Sequence, residues 1–164
     1  MLSRRRFLVL IGVGAPAAAV TAAGIRFLPS EEAPTGDPNI AFGEDICERC
    51  SMVVSDPRFA AAWRDSAGRE AYFDDIGCMV HEAHDQAIHD ATLFVPNHDD
   101  ETWLYAEDAF FVMDDEFRTP MAFGIAAFDS EDAASQAPGG HMVMQWDDLK
   151  PALDRKGEPD GHHH

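Results

Sequence analysis

From Phe59 onward the hydrophobic positions switch between two periods. Phe59-Ala60-Ala61-Ala62-Trp63 is a short apolar run, Asp65-Ser66-Ala67-Gly68 carries turn residues, and Glu70-Ala71-Tyr72-Phe73 is a second short run. This order predicts a β-hairpin. At Asp75 the period lengthens. Ile76, Met79, Val80, Ala83, Ala87 and Ile88 recur at spacings of three and four, which predicts an amphipathic helix to about His89. Asp74 or Asp75 is placed to cap it. Thr92-Leu93-Phe94-Val95, stopped by Pro96, predicts the next strand. The second half repeats the scheme: strands at Trp103–Tyr105 and Phe110–Met113, then an extended apolar run from Met121 to Phe128. Ser130 opens a short helix that breaks at Pro138-Gly139-Gly140, His141–Met144 closes with a strand, and Asp147 starts a last helical turn. The pattern predicts an α+β fold of two related strand–strand–helix–strand units sharing a core.

The pattern is different before residue 44. Ser3-Arg4-Arg5-Arg6-Phe7-Leu8 leads into an apolar stretch from Phe7 to Ala23, so residues 1–28 are expected to be a twin-arginine-type export signal or an N-terminal anchor. Residues 29–43, rich in proline, glycine and acids, are expected to form a flexible tether. The folded domain is expected over 44–154, and a disordered tail over 155–164. On this reading the domain works outside the cytoplasm, anchored by or released from its N-terminal segment.

Charge narrows the partners. The chain has 164 residues and a net charge of −18, from 30 acidic and 12 basic residues. The acids are dispersed, as in Asp74-Asp75, Asp114-Asp115 and Asp147-Asp148. Such a surface disfavours nucleic acid and anionic lipid and reads as an adaptation to high salt, where screening removes the self-repulsion. Membrane contact is expected only through the N-terminal segment.

Sulfur supplies the candidate chemistry. Cys47 and Cys50 form a Cys-x-x-Cys pair, with Met52 two residues on, and Cys78 with Met79 begins the predicted helix. A cysteine in a first helical turn has its thiolate favoured by the helix dipole. Cys47, between Glu44, Asp45 and Glu48, is expected to have its thiol pKa raised by those charges. Structural zinc asks for four Cys or His ligands, here Cys47, Cys50, His81 and His84. A redox dithiol would use Cys47 and Cys50, and a plain structural bridge between them is a third possibility. Thioether sulfur suits Cu(I) far better than zinc, and cysteine beside methionine twice over favours copper. Most methionines read as core fillers. Met121, behind Pro120, and His81, one turn after Cys78, do not; His141 ranks after His81. His84, His89 and His98 read as surface residues. No catalytic triad, phosphate loop or paired catalytic carboxylate stands out, so the chain reads as a non-enzyme.

Cys50-Ser51-Met52-Val53, Phe73-Asp74-Asp75-Ile76, Thr119-Pro120-Met121-Ala122-Phe123-Gly124, Ala127-Phe128 and Gly139-Gly140 stand in that order. The ordered set resembles the NosL family, exported copper chaperones for nitrous oxide reductase. The resemblance covers about residues 44–150. It implies a pair of strand–strand–helix–strand units similar to those of the organomercurial-lyase accessory fold. It also implies Cu(I) held by Cys50, Met52 and Met121, with Cys47, Cys78 and His81 as further candidates. The expected partners are a copper-enzyme client, nitrous oxide reductase or a relative, and a membrane maturation complex. Ser51 and Ala122 stand where the family pattern has glycine, and Cys47 and Cys78 are additions to its single cysteine. The alternatives that stay open are an exported thiol–disulfide oxidoreductase and a zinc-stabilised interaction domain.

Overall fold

A computed structural model describes residues 36–157; the expected signal or anchor over 1–28, the first half of the tether and the last seven residues lie outside them. Strands β1 (Ala61–Asp65) and β2 (Glu70–Phe73) form the hairpin. Its turn is tied by Asp65, whose carboxylate accepts from the N–H of Ala67 at 2.9 Å and of Arg69 at 3.0 Å. Helix α1 (Ile76–Asp85) follows, then β3 (Ala91–Pro96) on the other side of β1. Strand β4 (Trp103–Tyr105) pairs with β3, so it extends this first sheet instead of opening the second unit as expected; the order is β2-β1-β3-β4, all antiparallel. Four of the five β1 residues are buried, as befits a strand with a neighbour on each side.

The second unit is β5 (Phe110–Met113), β6 (Ile125–Phe128) and helix α2 (Glu131–Gln136), capped by Ser130 as expected. Its expected closing strand over His141–Met144 shrinks to a single bridge between Met144 and Phe111. Consecutive turns with Gly140 N–H on Ala137 and Met142 N–H on Gly139 use up that segment, leaving Met144 alone to reach β5. The topology nevertheless repeats. In each unit the first strand lies between the second and the third, and the helix connects the second to the third. A parallel bridge from Asn97, just after β3, to Ala127 in β6 joins the two sheets. Helix α3 (Trp146–Gly157) covers α1 and β5 with Leu149, Ala152 and Leu153, spaced to lie on one face. Phe73, Phe111, Ile76, Met79 and Ile125 fill the shared core.

Other expectations are corrected. Helix α1 ends four residues before His89. Ala87 turns to φ 49, Ile88 N–H bonds Ala83 and Ala87 N–H bonds His84, the closed pattern that ends a helix even without glycine. The extended run expected from Met121 is a strand only from Ile125, because Ala122 and Gly124 have positive φ. Helix α3 runs to Gly157, into the expected tail. Residues 36–43 are not wholly loose: Pro38 is buried, and the buried Arg64, paired with Glu70, donates to Gly36 O at 2.9 Å. His98 packs among Phe59, Phe117 and Phe128, with ring centroids 5.1–5.8 Å away, and is no simple surface residue.

Candidate metal centre

The Cys47–Cys50 segment is the tip of a tight ribbon. Ile46 bridges Val53, Cys47 N–H donates to Met52 O at 2.7 Å, and Ser51 N–H donates to Cys47 O at 3.0 Å. The ribbon is fixed to the body twice. Glu48 N–H donates to Tyr72 O in β2 at 2.9 Å, and the Arg49 guanidinium reaches Glu82 at 2.8 Å and Asp85 at 2.9 Å on α1. Ser51 closes the tip with φ 60, a left-handed conformation that costs a residue with a Cβ about 1–2 kcal/mol. Ala122, φ 59, is in the same state in the Met121 loop. These are the two positions where the resembling pattern has glycine. Ser51→Gly and Ala122→Gly are each expected to stabilise the copper-free protein by up to about 1 kcal/mol, the strain relieved less the glycine entropy. A urea midpoint that moves up checks this.

Across from the ribbon tip stands α1. Asp75 caps it, accepting from Gly77 N–H at 2.9 Å, and Cys78 follows in the first turn, its N–H on Asp75 O at 2.9 Å. The result is a cluster: the Sγ atoms of Cys47, Cys50 and Cys78 all lie within 4.8 Å of one another, and all three cysteines are free thiols. Three sulfurs around one ion at about 2.3 Å would sit roughly 4 Å apart, so the spacing fits a single soft cation. Cys47 and Cys78 are buried, and Cys50 is partly exposed.

The electrostatics differ from the sequence expectation. The neighbouring Cys78 thiol does most to lower the Cys47 thiol pKa, and the backbone N–H groups of Cys50 and Asp74 add to it against the cost of burial. The Cys47 thiol is lowered to about 5, not raised by its acidic neighbours. Directed hydrogen bonds outweigh carboxylates that stand in solvent. Cys78 is pushed up instead, by its hydrogen bond to Cys47, by burial and by the negative charge of Cys47, which together overcome the helix dipole. Burial is the main cause that raises Cys50. These directions favour the thiolate on Cys47 over one on Cys50 or Cys78.

The remaining candidates stand outside the three-thiol group. Met52 stands opposite Cys47 on the ribbon and is half exposed. Met121 is held by its own N–H on Asp75 Oδ2 at 3.1 Å, and the same oxygen accepts from the Thr119 hydroxyl at 2.6 Å. Thr119 Oγ1 in turn accepts from Gly124 N–H at 3.1 Å. Asp75 thus binds the Cys78 helix to the Met121 loop. Neither that role nor Thr119's is legible in the sequence, where the Asp-Asp pair before the helix signals only a cap. Gly77 leaves room for Phe123, whose ring would lie 2.3 Å from an added Cβ. His81 packs against Phe123 in a tilted pair, ring centroids 5.4 Å apart, and, with Met121, lines a groove of about 700 Å³ bounded by the end of α3. Burial, with Arg49 and Lys150 nearby, lowers the His81 pKa, so its imidazole is neutral at pH 7 and able to donate a lone pair. His84 of the zinc alternative is exposed at the far end of α1 and does not join the three thiols.

An α+β body of two linked units thus presents a three-thiol cluster that could hold a soft metal ion. The NosL family model matches residues 41–153, more than half of the chain, and the chain belongs to that family. No curated protein matches it. Among solved structures it is similar to the crystal structure of the copper chaperone NosL from Shewanella denitrificans, with 15% identity and a TM-score of 0.56 over 70% of this chain and 96% of that one. This likeness supports the α+β fold.

Proposed function

We propose that the protein is a Cu(I) chaperone, not an enzyme, and that it delivers copper by ligand exchange to nitrous oxide reductase or a related copper enzyme. Membership of the NosL family and the copper-chaperone relative of the same fold support this. The observation that carries it is the cluster of Cys47, Cys50 and Cys78, soft donors within 4.8 Å of one another with one sulfur at the surface. Thiolate and thioether donors select Cu(I). In this reading Cys47 supplies the standing thiolate, Cys50 and Cys78 complete a three-sulfur set, and Met52, Met121 and His81 receive copper as it leaves. The arginine pair before the apolar N-terminal run supports export to the extracytoplasmic face, where a membrane maturation complex would be met.

The test is an anaerobic Cu(I) titration of the reduced full chain against a chromophoric chelator. The expected result is one tightly held ion per chain, and three sulfur neighbours at a single distance in the X-ray absorption spectrum. Uptake no better than that of Cys50→Ser would sink the reading. Among the described residues no helix is long and apolar enough to cross a membrane.

A further inference from the structure

Six large apolar side chains stand well exposed among the described residues, and four of them belong to the twelve positions from 42 to 53: Phe42 at 41%, Ile46 at 52%, Met52 at 49% and Val53 at 41%. Single exposed apolar residues need no explanation, but a cluster on one short ribbon does. Ile46 and Val53 are direct partners across the ribbon, so their side chains leave it on one side, and Cys47 and Met52 form the next pair. The ribbon also carries Cys50, the one thiol of the three that reaches the surface. Its rim is acidic. Glu44 and Glu48 are exposed and Asp45 partly so, while the ribbon's one cation, Arg49, is engaged by Glu82 and Asp85.

We propose that this ribbon is the docking face for the copper-accepting protein, and that the acceptor meets it with an apolar centre rimmed by lysine or arginine. The assignment rests on the chaperone reading above and adds to it the surface and the partner's chemistry. Charge favours such an acceptor over a second copy of this chain, because two copies at −18 each would bring the same carboxylates together. Position favours it too, since Cys50, the partly exposed thiol of the three, lies on this same ribbon between Ile46 and Val53. In the exchange copper stays Cu(I) and no electron moves. Each Cu–S bond broken on the chain is replaced by a bond to an acceptor sulfur or imidazole nitrogen, and each thiolate released with a pKa above ambient pH takes up one proton.

The test uses the copper-loaded full chain and two synthetic acceptor peptides with identical methionine and histidine donors. One is flanked by leucine and lysine, the other by serine and glutamate. Transfer to the Leu/Lys peptide is expected to be at least about tenfold faster, with a gap that narrows in high salt. The double variant Ile46→Ser/Val53→Ser should lose most of the preference, and Glu44→Lys/Glu48→Lys should reverse its charge-dependent part. Neither should alter copper removal by a small chelator. Equal rates to both peptides, or a preference unchanged in both variants, would overturn the proposal. So would a wild-type dimer in sedimentation that Ile46→Ser/Val53→Ser dissolves, which would give the face to a second copy. Failure to take up copper at all would instead strike the chaperone reading, which the chelator titration detects separately.

Discussion

Exchanging Cys78 for serine is expected to cost at least about a hundredfold in Cu(I) affinity, and Cys47→Ser as much, although the resembling family pattern carries a single cysteine. Loss of a group merely supporting a metal ligand typically costs 10–100-fold, so loss of a ligand should cost no less. Both sulfurs are buried within 4.8 Å of Cys50, so an ion at Cys50 is already in their reach and needs no rearrangement. Met52→Ala and Met121→Ala should each cost less, about tenfold or below, since a neutral thioether gives up less charge stabilisation than a thiolate. A ranking with the methionines first and both buried cysteines near wild type would overturn the three-sulfur site. The proton balance gives a second readout. Cys47, lowered to about 5, is already ionised at pH 7, whereas Cys50 and Cys78, both raised, keep their protons. Binding Cu(I) to all three must then release about two protons per ion, and affinity should climb with pH through neutrality. Calorimetry in buffers of different ionisation enthalpy counts them; in Cys78→Ser the count should fall to about one.

What the sequence revealed and what it hid divide along a physical line. Local signals were readable. The hairpin turn at Asp65, the cap at the Asp74-Asp75 pair, Ser130 and the strand at Phe110–Met113 each depend on residues within one turn of each other. The end of α1 was not, because Ala87 takes a left-handed state that glycine normally announces. The partial strand at Met144 was hidden as well, since its pairing depends on how the turns at 137–142 fold up. At the site, the donors were identifiable by type, but their grouping was not. Cys47 and Cys78 lie 31 positions apart, and only the ribbon's hold on β2 and α1 brings them together. The Cys47 pKa is hidden for the same reason: the groups that set it are a thiol 31 positions away and two backbone N–H groups, not its acidic neighbours in sequence. The positive φ at Ser51 and Ala122, by contrast, gives a structural reason for the glycines expected there.

Asp75→Ala is expected to destabilise the copper-free protein by about 3–5 kcal/mol. Its carboxylate is fully buried and accepts from Gly77 N–H, the Thr119 hydroxyl and Met121 N–H, so truncation leaves three donors without a partner. Each such orphan costs about 1–3 kcal/mol. Asp75→Asn keeps an oxygen for Gly77 but turns an amide towards Met121 N–H, and should lose roughly half as much. The pH dependence has a definite sign. Burial raises the Asp75 pKa above its ordinary 3.8 in spite of these donors, so across that window the folded chain holds a proton that the unfolded chain has released. The Asp75 contribution to stability is then greatest on the acid side and declines as pH rises through the raised value. Asp75→Asn should remove that slope from urea unfolding measured across mildly acid pH. A merely structural carboxylate would stop there. Asp75, however, ties the Cys78 helix to the Met121 loop, so its loss should release that loop from the helix. Copper affinities of Asp75→Asn, Met121→Ala and the double variant should therefore not add, the second change costing little once the first is made. Full additivity would mean that Asp75 holds the fold without positioning the sulfur.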